Sequence, residues 1–472
     1  MQKTTATVSR SAGEPIGDAY SPADLAMRRR SRNSASFRWR IASLSDSIKR
    51  TLDVCMSLVL LALLLPLMVA ATLFVKSGGS ALTTVTRIGA WGEPFQLLGF
   101  RTGSGRAGRF IARTGIHTLP ALFNVLKGDL SFIGPRAVAP GEVSAREQLA
   151  RRRFSVRPGL LSLWWIRKRA NIDFGTELDA DTEYASTQTV KGDLGIALRA
   201  VPTALYGSRS GVLQDKVVIQ GIPIDNVTMG EAIDDLMELA AGDKPKQICY
   251  VNAHCANVAW KDADYFKVVT NSERIWADGI GVKLAGKILG RQIKQNVNGT
   301  DLFPRLCEAI AGTGDSLYLL GAKPGVAEDV KNWITERYPN TNVAGFQDGY
   351  YAKEDEPEVI ARIAASGATI LMVAFGVPRQ DIWIGENLDK LGVNVAMGVG
   401  GLFDFYSGRI DRAPQWVREI GFEWLFRVLQ EPGRMWRRYF VGNAEFLIHV
   451  WQEKFFGKTP HGRKAGVKVT GE

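Results

Sequence analysis

The longest apolar stretch of the chain runs from Val54 to Val75, 22 residues without a charged side chain. A helix of this length, at about 1.5 Å per residue, is long enough to cross a bilayer. Pro66 lies near its middle, and proline removes a backbone donor and clashes with the preceding turn. The pattern therefore predicts a membrane helix that bends at Pro66 and re-enters the same leaflet. A kinked helix that crosses the membrane once is the alternative.

In the second half of the chain, short apolar runs alternate with amphipathic ones. Val217–Ile219 and Ile222–Ile224 predict paired short strands, and Thr228 with Glu231 forms a capping-box pattern ahead of a helix. Further strands are predicted at Ile248–Val251, Ser316–Leu320, Asn342–Phe346, Thr369–Phe375 and Val393–Gly398. Helices are predicted between them, near 301–312, 324–338, 354–366 and 379–391. This alternation predicts a Rossmann-like α/β domain with an open, mostly parallel sheet.

The changes in pattern divide the chain into six segments. The first 45 residues are rich in Ser, Ala, Thr and Arg without a hydrophobic period, which is typical of disorder. The predicted division is a disordered N-terminus at 1–45, a membrane domain at 46–207 with its apolar helix at 54–75, a linker at 208–215, the α/β core at 216–408, an Arg- and aromatic-rich segment at 409–452, and a basic tail at 453–472.

Charge is unevenly distributed over these segments. The chain has a net charge of +11, made up of +14 for residues 1–210, −8 for 211–408 and +5 for 409–472. A basic front and tail around an acidic middle do not suit a nucleic-acid-binding protein. They predict two ends that contact anionic membrane lipids, and the arginines ahead of the apolar run predict that this side is cytoplasmic. The four cysteines form no CxxC pair, so neither a zinc site nor an oxidising compartment is indicated.

Glycines follow the ends of three predicted strands, and they point to the position of a ligand. Gly321, Gly376 and Gly400 each come directly after, or within two residues of, a strand end. In open parallel sheets ligands bind at the carboxyl ends of the strands, where bare backbone accepts phosphate. The pattern therefore predicts a nucleotide or another phosphorylated ligand, and the absence of a GxGxxG turn argues against a dinucleotide.

Residues 47–207 resemble the bacterial sugar transferase family, the monotopic polyprenyl-phosphate phosphoglycosyl transferases. The resemblance rests on Lys49–Asp53, on the string Leu119–Arg136 and on Val156–Leu160. In that family the membrane helix is re-entrant and broken at a proline, and an Asp-Glu pair supplies the nucleophile. Here His117 and Thr118 stand at those two positions. Because an activated nucleophile is missing, we expect this domain to be catalytically silent and to anchor the chain; transfer through His117 is the alternative.

Residues 216–452 resemble the WecB/TagA/CpsF family, inverting glycosyltransferases that move a sugar from UDP to a polyprenyl-diphosphate-linked acceptor. The motifs are Asn252–His254, Ala277–Val282, Gly299–Leu302, Leu320–Gly325, Gly376–Asp381, Gly398–Phe405, Gly408–Pro414 and Glu423–Arg434. The resemblance implies Asp278 as the general base, with Asn252 and Gln380 in the catalytic site. It also implies substrate contacts from Asp404, from Tyr250, where many members have threonine, and from His254, for which a structural role is equally open.

No His, Asp and Glu cluster shows metal-ligand spacing, so we expect no cofactor and a metal-independent reaction. The charge of the departing UDP would then be met by arginines, and the family match implies Arg427, Arg434 and Arg437, with Arg412 in a neighbouring motif. Pro432 is expected to break the helix between the first two. The surrounding tryptophans and phenylalanines, interleaved with arginines, predict a membrane-interface surface.

Together these features predict a membrane-associated inverting glycosyltransferase at the cytoplasmic face of a bacterial inner membrane. It would move an N-acetylmannosamine-type or other hexose from a UDP-sugar onto a polyprenyl-diphosphate-linked sugar, in cell-surface or exopolysaccharide biosynthesis. Two alternatives stay open: a bifunctional enzyme whose first domain also transfers sugar phosphate, and a non-catalytic scaffold of a polysaccharide assembly complex. The sequence leaves the oligomeric state open, a homo-oligomer included.

Overall fold

The computed structural model describes residues 38–75, 80–102, 108, 111, 114–142, 152–170, 175–206 and 214–462. The chain forms two compact units. The first contains residues 1–166 and 174–198, and the second contains residues 167–173 and 199–472. The second unit thus includes two stretches that precede the predicted linker at 208–215, and the predicted division into segments stays a prediction.

The first unit begins with α1, a single helix from Arg38 to Val75 that contains Pro66. Its stretch Asp46–Leu73 is apolar and long enough to cross a membrane, and most of its side chains are not covered by the protein. Leu63 and Leu73, for example, are about 70% exposed. The helix starts well before the predicted residue 54 and includes eight residues of the stretch predicted to be disordered. Re-entry at Pro66 stays a prediction.

The remainder of the first unit is a small α/β arrangement held by buried ion pairs. β1 and β2 form an antiparallel hairpin, and β3 pairs in parallel with β4. Lys49 of α1 is buried and bonded to the Asp193 carboxylate, and Arg153 is buried against Asp181. The elements are β1 Leu82–Ile88, β2 Pro94–Phe100, α2 Ala121–Lys127, β3 Ser131–Ile133, β4 Gly159–Leu161, α3 Leu163–Ala170, α4 Glu177–Thr187 and α5 Val190–Tyr206. Residues 167–170 of α3 and 199–206 of α5 are counted in the second unit.

The second unit is built on an eight-stranded sheet, in the order β10-β9-β11-β12-β7-β8-β6-β5. Only the β5–β6 pair is antiparallel; the other pairs are parallel. This confirms the predicted mostly parallel α/β sheet. The strands are β5 Lys216–Ile219, β6 Ile222–Asp225, β7 Lys246–Val251, β8 Arg274–Ala277, β9 Ser316–Gly321, β10 Asn342–Gln347, β11 Ile370–Ala374 and β12 Val395–Gly398.

Helices cover the sheet, and their apolar side chains form three buried clusters with it. The capping box at Thr228 and Glu231 is present as predicted. The helices are α6 Met229–Ala240, α7 Ala253–Lys261, α8 Ala263–Asn271, α9 Ile280–Leu289, α10 Gly299–Ile310, α11 Val326–Arg337, α12 Glu356–Ala365, α13 Arg379–Asn387 and α14 Leu402–Tyr406. β8, α7, α8 and α9 were not among the predicted elements, and β8 has only four residues, too few for a clear pattern.

The C-terminal part of the second unit is helical. As expected, one helix ends just before Pro432 and another begins there. The π-helical turn Arg437–Val441 then leads into the last long helix, whose Phe446 and Val450 pack into the cluster around β5 and β6. The elements are α15 Gln415–Glu419, α16 Glu423–Gln430, α17 Pro432–Trp436 and α18 Gly442–Phe456.

Candidate active site

A cavity of about 910 Å³ lies at the carboxyl ends of the parallel strands of the second unit. Each of five neighbouring strands leads directly into its wall, at residues Asn252, Asp278, Ala322, Gly376 and Gly400. The C-terminal helices close another side with Glu423, Trp424, Arg427, Arg438 and Tyr439. This is the edge at which the sequence predicts a ligand.

Asp278 and Asn252 meet in this cavity. The Asn252 side-chain oxygen caps α7 by accepting from the backbone N–H groups of His254 and Cys255, at 3.0 and 3.1 Å. This leaves the amide nitrogen free to donate to Asp278 Oδ2 over 3.1 Å. The helix cap therefore determines which end of the amide faces the carboxylate, and Asn252 holds Asp278 in one orientation.

The electrostatics of Asp278 suit a proton acceptor. Burial raises the pKa of its carboxyl, opposed by the Asn252 hydrogen bond and the charge of Arg438 and reinforced by the nearby Asp301. A raised pKa makes the carboxylate a better base than an exposed aspartate. The adjoining Gly279 has a φ of +84°, a left-handed conformation that favours glycine, and its N–H donates to Asn296 Oδ1 over 2.5 Å. This turn starts α9 and sets the position of Asp278.

His254 and Tyr250 also line the cavity. Burial and the charge of Arg438 lower the pKa of His254 to about 4, so its imidazole is neutral at pH 7 and a weak base. Burial and the charge of Asp278 raise the pKa of the Tyr250 phenol. Its hydroxyl is buried and has no hydrogen-bond partner among the described residues. Tyr250 thus offers a neutral donor to a ligand, and Asp278 is the better candidate for the base.

Gln380 lies in the site, but its side chain is already in use within the protein. Its carbonyl oxygen accepts from the N–H groups of Gly376, at 3.1 Å, and Gly400, at 3.0 Å. Those two glycines follow β11 and β12 and both have positive φ. Gln380 therefore ties two turns of the cavity wall together, and a direct catalytic role for it stays a prediction. Gly321 does not line the cavity: a Cβ there would meet the Ala374 backbone at 2.8 Å, so close strand packing requires a glycine.

Arg427 reaches into the site from α16 and lies against the turn after β12. Its guanidinium stacks 4.7 Å from the centre of the Phe405 ring and lies 4.0 Å from the Asp404 carboxylate. A Cβ on Gly401 would come within 2.6 Å of its nitrogen, so glycine makes room for it. The structure thus brings the predicted Asp404 and Arg427 together at one end of the cavity.

Arg412 does not line the cavity but contacts two carboxylates that do. It donates to the Asp301 carboxylate over 2.5 Å, and its Nε lies 3.6 Å from Glu423. Arg418, which does line the cavity, lies 3.6 Å from the same oxygen of Asp301. Two cations and two carboxylates thus form a network beside Asp278, and Arg412 acts through Asp301 rather than by facing the cavity.

The C-terminal arginines differ by one position from the expectation. Arg437 is exposed and does not line the cavity, whereas its neighbour Arg438 does. Both lie in the π-helical turn, whose wider winding changes which side chain faces inward. The side chain of Arg434 lies outside the described residues. Arg438 has no carboxylate within ion-pair distance in the described part of the chain, and its buried Nε has no partner there.

Sequence reasoning also missed Lys283 of α9, which lines the cavity and is 5% exposed. The pattern Val-Lys-Leu gave no signal, because a lysine in an amphipathic helix normally faces solvent.

No group of three or more His, Cys, Asp or Glu side chains that could hold a metal ion occurs in the described residues. In the first unit, His117 and Thr118 lie in a short turn ahead of α2, where Thr118 donates to the Gly115 carbonyl over 2.8 Å.

Comparison with known proteins identifies the family of the chain. Residues 217–460 match the model of the glycosyl transferase WecG/TagA/CpsF family, and residues 44–207 match that of the bacterial sugar transferases. A relative from Bacillus subtilis (strain 168), named N-acetylglucosaminyldiphosphoundecaprenol N-acetyl-beta-D-mannosaminyltransferase, is 34% identical over 242 residues, 51% of this chain and 93% of the relative. Both resemblances read from the motifs are confirmed. The chain is a glycosyltransferase of the WecG/TagA/CpsF family that carries a bacterial sugar transferase region ahead of its catalytic unit.

Proposed function

We propose that the chain transfers a sugar from a UDP-sugar to a polyprenyl-diphosphate-linked sugar, with inversion at the anomeric carbon. The B. subtilis relative supports this, because its name describes an N-acetylmannosaminyl transfer to N-acetylglucosaminyldiphosphoundecaprenol. N-acetylmannosamine is therefore the first donor sugar to test. The observation that carries the proposal is the buried Asp278 carboxylate, oriented by Asn252 at the carboxyl edge of the sheet.

In the proposed reaction the acceptor hydroxyl attacks the anomeric carbon on the face opposite the nucleotide. Its proton passes to the Asp278 carboxylate, and the bond between that carbon and the diphosphate oxygen breaks with its electron pair going to UDP. Asn252 keeps the carboxylate in place throughout. A single displacement of this kind inverts the configuration and needs one base, the role proposed here for Asp278.

The departing diphosphate needs compensating positive charge. Arg427 and Arg438 both line the cavity, and Arg438 has no carboxylate within ion-pair distance in the described residues. Guanidinium groups bind phosphate oxygens in a bidentate manner and retain their charge at all relevant pH values. We propose that these two residues stabilise the leaving UDP and that the reaction proceeds without a metal ion. Full activity in excess EDTA is the expected result, and a loss restored by Mg²⁺ would overturn this part of the proposal.

We further propose that the enzyme works at the cytoplasmic face of the bacterial inner membrane, in cell-surface or exopolysaccharide biosynthesis. The support is the apolar stretch of α1 together with the basic residues ahead of it. Nucleotide sugars are cytoplasmic substrates, so the catalytic unit has to face that side. Protease digestion of inside-out and right-side-out vesicles distinguishes the two sides, and protection of the catalytic unit in inside-out vesicles would contradict the proposal.

The central test is Asp278→Asn in the full chain, purified in detergent and assayed with UDP-N-acetylmannosamine and a lipid-linked N-acetylglucosaminyl diphosphate. Loss of the general base is expected to lower kcat by about 10²–10⁴-fold. Asp264→Asn, at an exposed position of α8, is the matched control and should retain activity within about twofold. Unchanged transfer by Asp278→Asn would overturn the base assignment. A panel of other UDP-sugars, assayed with the wild type, identifies the donor.

A further inference from the structure

Lys283 is a buried ammonium group in the wall of the cavity. Its side chain lies on α9, is 5% exposed, and donates over 3.0 Å to the backbone carbonyl of Arg169, in the stretch 167–170 that belongs to the second unit. An ammonium carries three N–H donors, and this carbonyl takes one of them. Within the described residues, no carboxylate lies within ion-pair distance of Lys283.

Burying a charged ammonium group costs free energy, and two nearby positive charges increase that cost. Burial, together with the positive charges of Arg169 and Lys287, lowers the pKa of Lys283 to about 7. A buried charge is normally paired or removed. A lysine that is neither paired with a carboxylate nor turned out to solvent is explained if an anionic ligand in the cavity provides the missing negative charge.

The neighbours of Lys283 indicate which anion this is. Ile280 and Leu284 lie on the same face of α9 and line the cavity with it, and Ala170 and Leu447 add further apolar surface. A cation set among aliphatic side chains suits a phosphate that carries a hydrocarbon chain. By contrast, Arg427 stacks on Phe405 beside Asp404, and Arg438 lies over the Tyr439 ring. Such charged and aromatic surroundings suit a nucleotide.

We propose that Lys283 binds the diphosphate of the polyprenyl-linked acceptor and that Ile280 and Leu284 contact its first prenyl carbons. The inference rests on the proposed function and assigns its acceptor subsite. It also gives a role to the stretch 167–170 of the second unit, since the carbonyl of Arg169 holds the ammonium in position. Lysine is a compact point charge, so one phosphate oxygen is enough to engage it.

The test measures binding rather than turnover. The full chain in detergent micelles is titrated with farnesyl diphosphate, a soluble prenyl diphosphate, and separately with UDP. Lys283→Met keeps the side-chain volume and removes the charge. It is expected to weaken farnesyl diphosphate binding at least tenfold and to change UDP binding less than twofold. Lys287→Met, on the same helix but exposed, is the matched control and should leave both within twofold.

Each other outcome overturns the assignment. Unchanged farnesyl diphosphate binding in Lys283→Met would show that the ammonium does not contact the acceptor. Weakened UDP binding alone would assign it to the donor diphosphate. A thermal unfolding temperature at or above that of the wild type shows that the variant is folded. Sugar transfer by the wild type is a separate measurement. If the wild type transferred no sugar, the proposed function would be wrong. A selective loss of farnesyl diphosphate binding in Lys283→Met would still support the acceptor subsite.

Discussion

Two buried lysines, one in each unit, show how the same group can serve the fold or a ligand. Lys49 of α1 donates to the Ile133 carbonyl at 2.8 Å, to the Tyr184 hydroxyl at 3.0 Å, and to the Asp193 carboxylate. Lys283 of α9 is equally buried, but among the described residues it has a single hydrogen-bond acceptor, the Arg169 carbonyl. All three donors of Lys49 are used within the protein, whereas Lys283 keeps donors available at a cavity. Pairing, rather than burial, separates a structural cation from a binding one.

The arginines follow the same division. Arg153 in the first unit is buried against the carboxylates of Asp181 and Glu177. Arg438 in the second unit lines the cavity and has no carboxylate partner in the residues that the structure describes. Lys49 and Arg153 of the first unit are thus paired within the protein, whereas Lys283 and Arg438 have no carboxylate within ion-pair distance in the described residues, at a cavity where diphosphate-carrying substrates are proposed to bind.

The largest effect is expected for Lys49→Met, which tests whether Lys49 stabilises the fold. Removing one partner of a buried ion pair leaves the other charge uncompensated, so we expect the first unit to lose about 3–5 kcal/mol of unfolding free energy. Limited proteolysis of the first unit, carried out on the detergent-solubilised chain at increasing temperature, measures this loss of stability. Lys127→Met, at a lysine whose side chain is 75% exposed, is the control and should cost less than 1 kcal/mol. Equal effects of the two variants would refute the structural role of Lys49.

Arg438→Met tests the cation that is proposed to bind the donor diphosphate. Loss of its charge is expected to lower kcat about 10–100-fold, because the leaving diphosphate loses a stabilising contact. Burial raises the pKa of the Asp278 carboxyl, and the positive charge of Arg438 opposes that rise. Removing this charge should therefore also move the acid limb of the kcat/KM profile to higher pH. Arg437→Met, one residue away and exposed, should change neither quantity. A larger effect at Arg437 would support the assignment made from sequence instead.

The difference between Arg437 and Arg438 shows where sequence reasoning stopped. Strand ends, capping residues and family motifs were enough to bring Asp278 and Asn252 together, because parallel strands end at one edge of the sheet. The π-helical turn that turns Arg438 inward has no signature in the sequence. Lys283 was missed because its partner is a backbone carbonyl 114 residues away. Local pattern therefore predicted which strand ends meet at one edge of the sheet, and long-range packing decided which cations face the cavity there.

Lys283→Met is also expected to stabilise the fold, in contrast to Lys49→Met. The pKa of Lys283 is about 7 in the folded chain, below its unfolded value near 10.4. Between these values the unfolded chain binds more protons, so wild-type stability rises with pH across that window. Methionine removes the penalty: we expect a gain of about 1–2 kcal/mol at pH 6–7 that disappears toward pH 10. Thermal unfolding at several pH values measures it, and a loss of stability at pH 6 would show a structural role.

The smallest expected effect concerns the first unit and its place in catalysis. His117→Ala should leave sugar transfer from the UDP-sugar within about twofold, and the wild type should release no UMP when polyprenyl phosphate is the sole acceptor. The reason is chemical: a phosphoryl-transferring imidazole needs a neighbouring group that activates it, and the adjacent Thr118 is uncharged and donates its hydroxyl to the Gly115 carbonyl. Release of UMP that His117→Ala abolishes would make the chain bifunctional. It would also mean that the first unit, despite its balanced buried charges, keeps a reactive site of its own.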